Sequence, residues 1–207
     1  MNEYRTISHS GESFYSEKKS KFIGHTAPVS SQEEAVDFIN GIKSMYKDAS
    51  HNVGAYNIRK GNLSHSSDDG EPAGTAGVPV LETLLKADIL DAAIVVTRYY
   101  GGTPLGAGGL IRAYSSTASA ALRDAGPVIM RECAVYDVYV PYPQYGQFLK
   151  LLESLQITAG DKEFLEKIRV RCIADRDKEV KLQKEISDFF HGADEILFIR
   201  NEFLPQK

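Results

Sequence analysis

The chain has 207 residues, of which 43% are hydrophobic and 25% charged, as in an ordinary globular protein. No stretch approaches the roughly 18 consecutive apolar residues of a membrane span. The first five residues are polar and lack the apolar segment of a secretory signal. We therefore expect a cytoplasmic protein that does not associate with membranes.

The formal net charge is −4, from 24 Lys and Arg against 28 Asp and Glu. Residues 1–132 hold 13 basic and 15 acidic residues, and residues 133–207 hold 11 and 13, so each part carries −2. Neither part has the basic excess of a typical DNA-binding domain. We expect no DNA specificity, and any contact with nucleic acid must come from a local patch.

Hydrophobic periodicity and turn residues divide the first 130 residues into alternating strands and helices. Ser31, with Glu34 three residues later, forms a capping box at the start of a helix. The lysines at 18, 19 and 21 form a short basic turn that either touches phosphates or is a solvated hairpin tip. The expected strands are 3–9, 12–29, 51–58, 63–66 and the apolar run at 92–96, and the expected helices are about 31–48, 76–87 and 108–125.

The remaining residues follow the order strand, helix, strand, strand, helix, strand, which is the ferredoxin-like arrangement. Asp175 is expected to cap the second helix. Cys133 and Cys172 have apolar neighbours, which predicts two small buried thiols. A domain boundary near residues 128–132 gives an α+β protein with domains 1–130 and 131–207. The expected strands of the second domain are 134–140, 157–163, 166–173 and 195–203.

A glycine-rich turn separates the apolar strand from the helix that follows it, with five glycines among residues 101–109. Such a turn exposes backbone N–H groups at the positive end of a helix dipole, a common way to bind phosphate. The alternative is that the glycines only allow close packing. The turn matches neither G-x-x-x-x-G-K-[ST] nor G-x-G-x-x-G. The candidate anion or nucleic-acid ligands are Arg98, Tyr99, Tyr100, Gly101, Gly102, Gly106, Gly108, Gly109 and Arg112.

An acidic loop precedes this region, and its carboxylates are accessory candidates together with Lys21. Asp68, Asp69 and Glu71 place three carboxylates within four residues, a set that could hold Mg²⁺ beside a phosphate. Such loops are more often solvated turns, and Glu71 could instead pair with a cation such as Arg98 in a structural role. No histidine spacing typical of zinc is present, so we predict no metal and no cofactor.

Four segments together resemble the IMPACT family, in its bacterial YigZ-type members, and the resemblance covers nearly the whole chain. These segments are residues 20–24 (SKFIG), 68–77 (DDGEPAGTAG), 95–102 (VVTRYYGG) and 106–110 (GAGGL). The resemblance implies an N-terminal domain of the ribosomal protein S5 domain 2-like fold and a C-terminal ferredoxin-like domain. The same two folds occur in the same order in domains IV and V of elongation factor G. Eukaryotic IMPACT proteins restrain a stress kinase of translation initiation, and carry an additional N-terminal partner-binding domain that we do not expect in this chain.

These observations lead to a translation-associated protein that binds RNA or the ribosome through the glycine-rich turn. The resemblance also implies a protein partner in translation control. Enzymatic activity is not favoured. The alternative is an enzyme acting on a phosphorylated metabolite or nucleotide with the same turn and the acidic loop. His51 or His65 would be its general base if either lies near Asp69. A third interpretation is a protein-interaction module.

Overall fold

The computed structural model describes residues 3–192 and 195–206. It contains two compact units, one of residues 4–129 and one of the described residues from 130 onward, with Glu3 grouped with the latter. The strands are β1 (Glu3–Ile7), β2 (Gly11–Glu17), β3 (Ser20–Pro28), β4 (His51–Ile58), β5 (Leu63–Ser66), β6 (Ala92–Tyr99), β7 (Pro127–Val140), β8 (Thr158–Phe164), β9 (Ile168–Asp175) and β10 (Ile196–Pro205). The helices are α1 (Gln32–Met45), α2 (Gly77–Lys86), α3 (Ala107–Asp124), α4 (Tyr145–Ser154) and α5 (Glu179–Phe189). The predicted α+β class is confirmed.

The first unit is built on an antiparallel five-stranded sheet in the order β2-β3-β6-β4-β5. Successive side chains of β6 face opposite sides, as a strand requires. Ile94 and Val96 join the core formed with α2 and α3, whereas Ala93 joins a smaller core with Ala35 of α1. The sheet therefore has α1 on one face and α2 and α3 on the other.

The run 12–29, expected as strand, forms two strands joined by a tight hairpin. Lys18 and Lys19 occupy its tip with φ of +47° and +68°, as a two-residue hairpin turn with left-handed backbone requires. The basic turn is thus a hairpin tip. At the start of α1, the Ser31 hydroxyl accepts a hydrogen bond from the Glu34 N–H at 3.2 Å, while the Glu34 carboxylate accepts from the Ser30 N–H at 2.7 Å.

Helix α3 packs against β2 and β3 at very short range, as its many small residues predict. A Cβ added to Gly11 of β2 would lie 2.4 Å from the carbonyl oxygen of Ala121. Thr117 and Ala121 are buried at this contact. The small side chains of α3 therefore set the separation between helix and sheet.

The second unit has the element order β7-α4-β8-β9-α5-β10, and its strands pair antiparallel in the order β10-β7-β9-β8. Phe148 and Leu152 of α4 and Leu182 and Ile186 of α5 form one core with the sheet. The prediction that Asp175 caps a helix is wrong, because its side chain makes no cap hydrogen bond. β9 ends at Asp175, and a single 3₁₀ turn separates this residue from α5. The Asp175 carboxylate instead lies 3.6 Å from Arg131.

Both cysteines are buried and unpaired with each other, as the sequence predicts. Burial raises the pKa of Cys133 to about 11 and that of Cys172 to about 12. Neither thiol is therefore a ready nucleophile at neutral pH. Within residues 3–192 and 195–206, the helices lack the combination of length and apolar composition that crossing a membrane requires.

We expect Gly11→Ala to lower the free energy of unfolding by about 1–3 kcal/mol, because the new methyl group displaces the backbone of α3. Gly41→Ala in α1 is the matched control, since a Cβ there meets nothing within 4 Å. It should stabilise the protein by about 0.5–1 kcal/mol through helix propensity. Urea denaturation of both variants measures the difference, and equal effects would contradict the close approach of α3 to β2.

Candidate functional site

The glycine-rich turn connects the end of β6 to the start of α3. Gly106 is the N-cap of α3, with φ of +75°, and it offers no side-chain cap to the first turn of the helix. Gly102 also has a positive φ, +79°, and nothing lies within 4 Å of the position its Cβ would take. The first N–H groups of α3 therefore begin at an uncapped, positively polarised helix end, next to the exposed backbone of Gly108.

Gly101 serves close packing rather than an open turn. A Cβ on it would lie 2.1 Å from the carbonyl carbon of Lys19, and its N–H donates to the Ser20 hydroxyl at 3.1 Å. The β2–β3 hairpin tip and the glycine-rich turn are thus in direct contact. The close-packing interpretation therefore holds at Gly101, and the open backbone at Gly102 and Gly106 is compatible with the predicted anion contact.

Arg98 lies beneath this surface, not on it. Only 5% of Arg98 is exposed, and its guanidinium donates to the Glu71 carboxylate at 2.6 Å. The same Glu71 oxygen accepts from the Tyr114 hydroxyl of α3 at 2.8 Å. Burial, followed by this carboxylate, raises the pKa of Tyr114. The alternative in which Glu71 pairs with Arg98 structurally is the one observed, and it leaves Arg98 badly placed to reach a phosphate.

The other two carboxylates of the acidic loop are also engaged within the chain. Asp68 accepts from the N–H groups of Gly74, Ala76 and Gly77 at 2.7–3.1 Å, and so holds the start of α2. Burial raises the pKa of Asp68, but these hydrogen bonds outweigh it, and the net pKa lies below the usual value. Asp68 therefore has a structural role, and the loop is not simply a solvated turn.

Asp69 accepts from the Lys43 ammonium at 2.6 Å and from the Asn52 N–H at 2.7 Å. Burial raises its pKa, and Lys43 and Asn52 lower it to below the usual value. The acidic loop thus belongs to the same packed region as Arg98. Among the described residues, no group of three or more His, Cys, Asp and Glu side chains is placed to hold a metal ion.

His51 adds a partly exposed side chain to this cluster. The sequence had offered His51 and His65 as alternatives for a histidine near Asp69. Its Nδ1 lies 2.9 Å from the Asp69 carbonyl oxygen, and its Nε2 lies 3.8 Å from Glu71. His65 stacks instead on Tyr56, with the ring centroids 5.5 Å apart. The carboxylates that an enzyme would need are already bonded within the chain, so the geometry favours a structural cluster over a catalytic one.

The remaining candidates lie at the surface around the turn. Arg112 is exposed, and its guanidinium nitrogen would be 3.6 Å from a Cβ on Gly108, so it lies over the first turn of α3. Lys21 is exposed on β3 directly opposite Tyr99 of β6. The Tyr99 hydroxyl donates to Asp48 at 3.0 Å, and Tyr100 is 49% exposed. Arg112, Lys21 and Tyr100 are therefore accessible, in contrast to Arg98.

A groove of about 440 Å³ runs beside the turn. The sequence did not predict this groove. Phe14 is 65% exposed there, although a large apolar side chain on a strand is ordinarily assigned to the core. Ser20, which bridges β3 and the turn, belongs to a segment that carries the family resemblance, but the sequence did not indicate this bridging role. The groove is lined by Phe14, Lys19, Lys21, Ile23, Tyr99 and Tyr100.

Residues 18–122, which contain the turn, the acidic loop and the tip of the β2–β3 hairpin, match the family model of the Impact N-terminal domain. YvyE, an IMPACT family member of Bacillus subtilis (strain 168), is 34% identical over 95% of this chain and 91% of that protein. YigZ, an IMPACT family member of Escherichia coli (strain K12), is 31% identical over 88% of this chain and 91% of that protein. The chain therefore belongs to the IMPACT family, as its motifs predict.

A solved structure described as that of a hypothetical protein is similar over 98% of this chain and 100% of its own length. Its TM-score is 0.62 and its sequence identity 28%. The similarity thus extends over both compact units of the chain.

We expect Glu71→Ala to lower the free energy of unfolding by about 3–5 kcal/mol, because it leaves the Arg98 guanidinium buried and unpaired. Tyr114→Phe removes one hydrogen bond to the same carboxylate and should cost about 1–2 kcal/mol. Glu82→Ala breaks the exposed pair with Lys86 and should change stability little. Chemical denaturation compares the three, and a Glu71→Ala effect no larger than that of Glu82→Ala would refute the buried pair.

We expect acid to destabilise the fold through Asp68 and Asp69. Because their folded pKa values are depressed, their contribution is complete above the unfolded value of about 4 and is lost as the pH falls through the folded values. Asp68→Asn should lower stability at neutral pH and flatten its decline in acid, whereas exposed Asp37→Asn should leave the profile unchanged. Urea unfolding at a series of pH values measures this, and a profile insensitive to Asp68→Asn would count against the cap.

Proposed function

We propose that this protein binds RNA or the ribosome and acts in translation control, through the surface where the start of α3 meets the β2–β3 hairpin. The observation that carries the proposal is the contact of Gly101 with Lys19 and Ser20. It brings the hairpin lysines and an uncapped helix N-terminus together in one place. Family membership supports the connection with translation, since eukaryotic IMPACT proteins act there.

Electrostatics favour a phosphate backbone as the ligand of this surface. Lys19, Lys21 and Arg112 are exposed around a turn whose helix dipole also attracts anions. Phosphate contacts of this kind supply affinity without sequence preference. Lys19 and Lys21 line one groove and so supply cations locally on a chain whose net charge is −4.

We infer further that the two compact units are domains of the ribosomal protein S5 domain 2-like and ferredoxin-like folds. The β7-α4-β8-β9-α5-β10 order of the second unit, with sheet order β10-β7-β9-β8, supports the latter. Three layers, with α1 on one side of the sheet and α2 and α3 on the other, are compatible with the former. Domains IV and V of elongation factor G are an analogy for such a pair.

We expect a variant with Lys19→Gln, Lys21→Gln and Arg112→Gln to associate with ribosomes more weakly, and its remaining association to depend less steeply on salt. Co-sedimentation with ribosomes and subunits over a salt series measures both. Lys181→Gln with Lys184→Gln removes two exposed charges of α5 and is the control for general charge effects. Binding that is equal for all three proteins, or absent at low salt, would overturn the proposal.

A further inference from the structure

The open end of the sheet in the first unit presents aromatic rings and lysines together. Phe14 of β2 lies opposite Ile23 of β3, and Lys21 lies opposite Tyr99 of β6, so these side chains share one sheet face. Helix α1 packs against β4 and β6 on that face and ends at Met45. The Tyr46 ring, directly after α1, covers His25 of β3. The part of this face nearer the hairpin stays open, and Phe14 keeps 65% of its surface exposed.

Tyr100 closes the groove at the end of β6 and is held from below. The Arg98 guanidinium lies 5.3 Å from the centre of its ring and 5.5 Å from that of Phe22. Since Arg98 is fixed by Glu71, the Tyr100 ring has a rigid support while half of its surface faces solvent. Tyr99 is held by its hydrogen bond to Asp48. Pre-positioned rings lose little side-chain entropy when a ligand binds.

We propose, resting on the function proposed above, that this groove stacks unpaired bases and that the ligand is single-stranded RNA. Lys19 and Lys21 line the same groove as the rings, so phosphates and bases of one strand can be held together. Bases of an A-form duplex are stacked on each other and do not offer their faces. A duplex can use the lysines, but not the rings.

The charges distinguish this ligand from an apolar peptide. Two lysines border the aromatic surface. Of the acids close to it, Asp48 is engaged by the Tyr99 hydroxyl, and Glu12, which shares the face of Phe14, lies 3.5 Å from the His25 imidazole. A strand of RNA satisfies both the cations and the rings, and an apolar segment leaves the cations without partners. The groove volume of about 440 Å³ falls within the roughly 300–1,000 Å³ of small-ligand sites.

Fluorescence anisotropy with a labelled oligouridine of about 12 nucleotides and an RNA duplex of similar length tests the proposal. We expect the full-length protein to bind the single strand at least about tenfold more tightly than the duplex. Phe14→Ala and Tyr100→Ala should each weaken single-strand binding about tenfold and leave its salt slope unchanged. Lys19→Gln with Lys21→Gln should reduce that slope.

Two controls separate stacking from loss of structure or of apolar surface. Phe164→Ala removes an equally exposed phenylalanine of β8 and should leave binding unchanged. Tyr100→Leu keeps apolar bulk without a ring and should bind as weakly as Tyr100→Ala. Thermal melting of each variant checks the fold, and Phe14→Ala should melt like the wild type because the ring is exposed.

The outcomes separate this inference from the function on which it rests. Equal or tighter binding of the duplex, or wild-type affinity of Phe14→Ala and Tyr100→Leu, overturns the stacking groove and leaves RNA binding intact. Ribosome association without single-strand binding also overturns the groove, and points to a protein or folded-RNA contact. Failure to bind either RNA or ribosomes overturns both proposals.

Discussion

The buried ion pair between Arg98 and Glu71 is the interaction on which the candidate site depends. It joins the end of β6 to the acidic loop, and through the Tyr114 hydroxyl it reaches α3. Removing two charges from water is costly, and only close geometry and further hydrogen bonds compensate for it. The pair therefore fixes three segments relative to one another with little freedom, and the glycine-rich turn is the loop that connects two of them.

The surface proposed to bind RNA is a consequence of this buried arrangement. With Arg98 held, Tyr100 rests on its guanidinium and faces the groove. Gly101 can then approach Lys19 so closely that a methyl group would not fit. The lysine hairpin is placed beside the start of α3 because these two backbones touch. A charged residue under the surface thus organises the exposed residues that would meet a ligand.

The motifs of this chain divide accordingly between packing and the proposed contact surface. The acidic loop, which resembles a metal site in sequence, instead caps α2 through Asp68. Its Asp69 pairs with the partly exposed Lys43, and its Glu71 pairs with the buried Arg98. The glycines combine a tight approach at Gly101 with an uncapped helix start at Gly106. A run of residues that looks catalytic in sequence can therefore serve to stabilise the fold beneath a neighbouring surface.

The sequence by itself determined the α+β class, most strands and helices, the buried thiols, the family and the position of the turn. These depend on local periodicity, capping and glycine spacing, which a linear chain displays directly. The sequence grouped Arg98 and Arg112 because both flank the glycine-rich turn. Arg98 is buried and Arg112 is exposed, since a position beside a turn carries no information on burial. Only the tertiary structure decided that Glu71 neutralises Arg98 and that Phe14, Lys21 and Tyr99 share a face. Both depend on which segments become neighbours in the fold. Contacts between segments distant in sequence are set by the packing of the whole sheet and its helices.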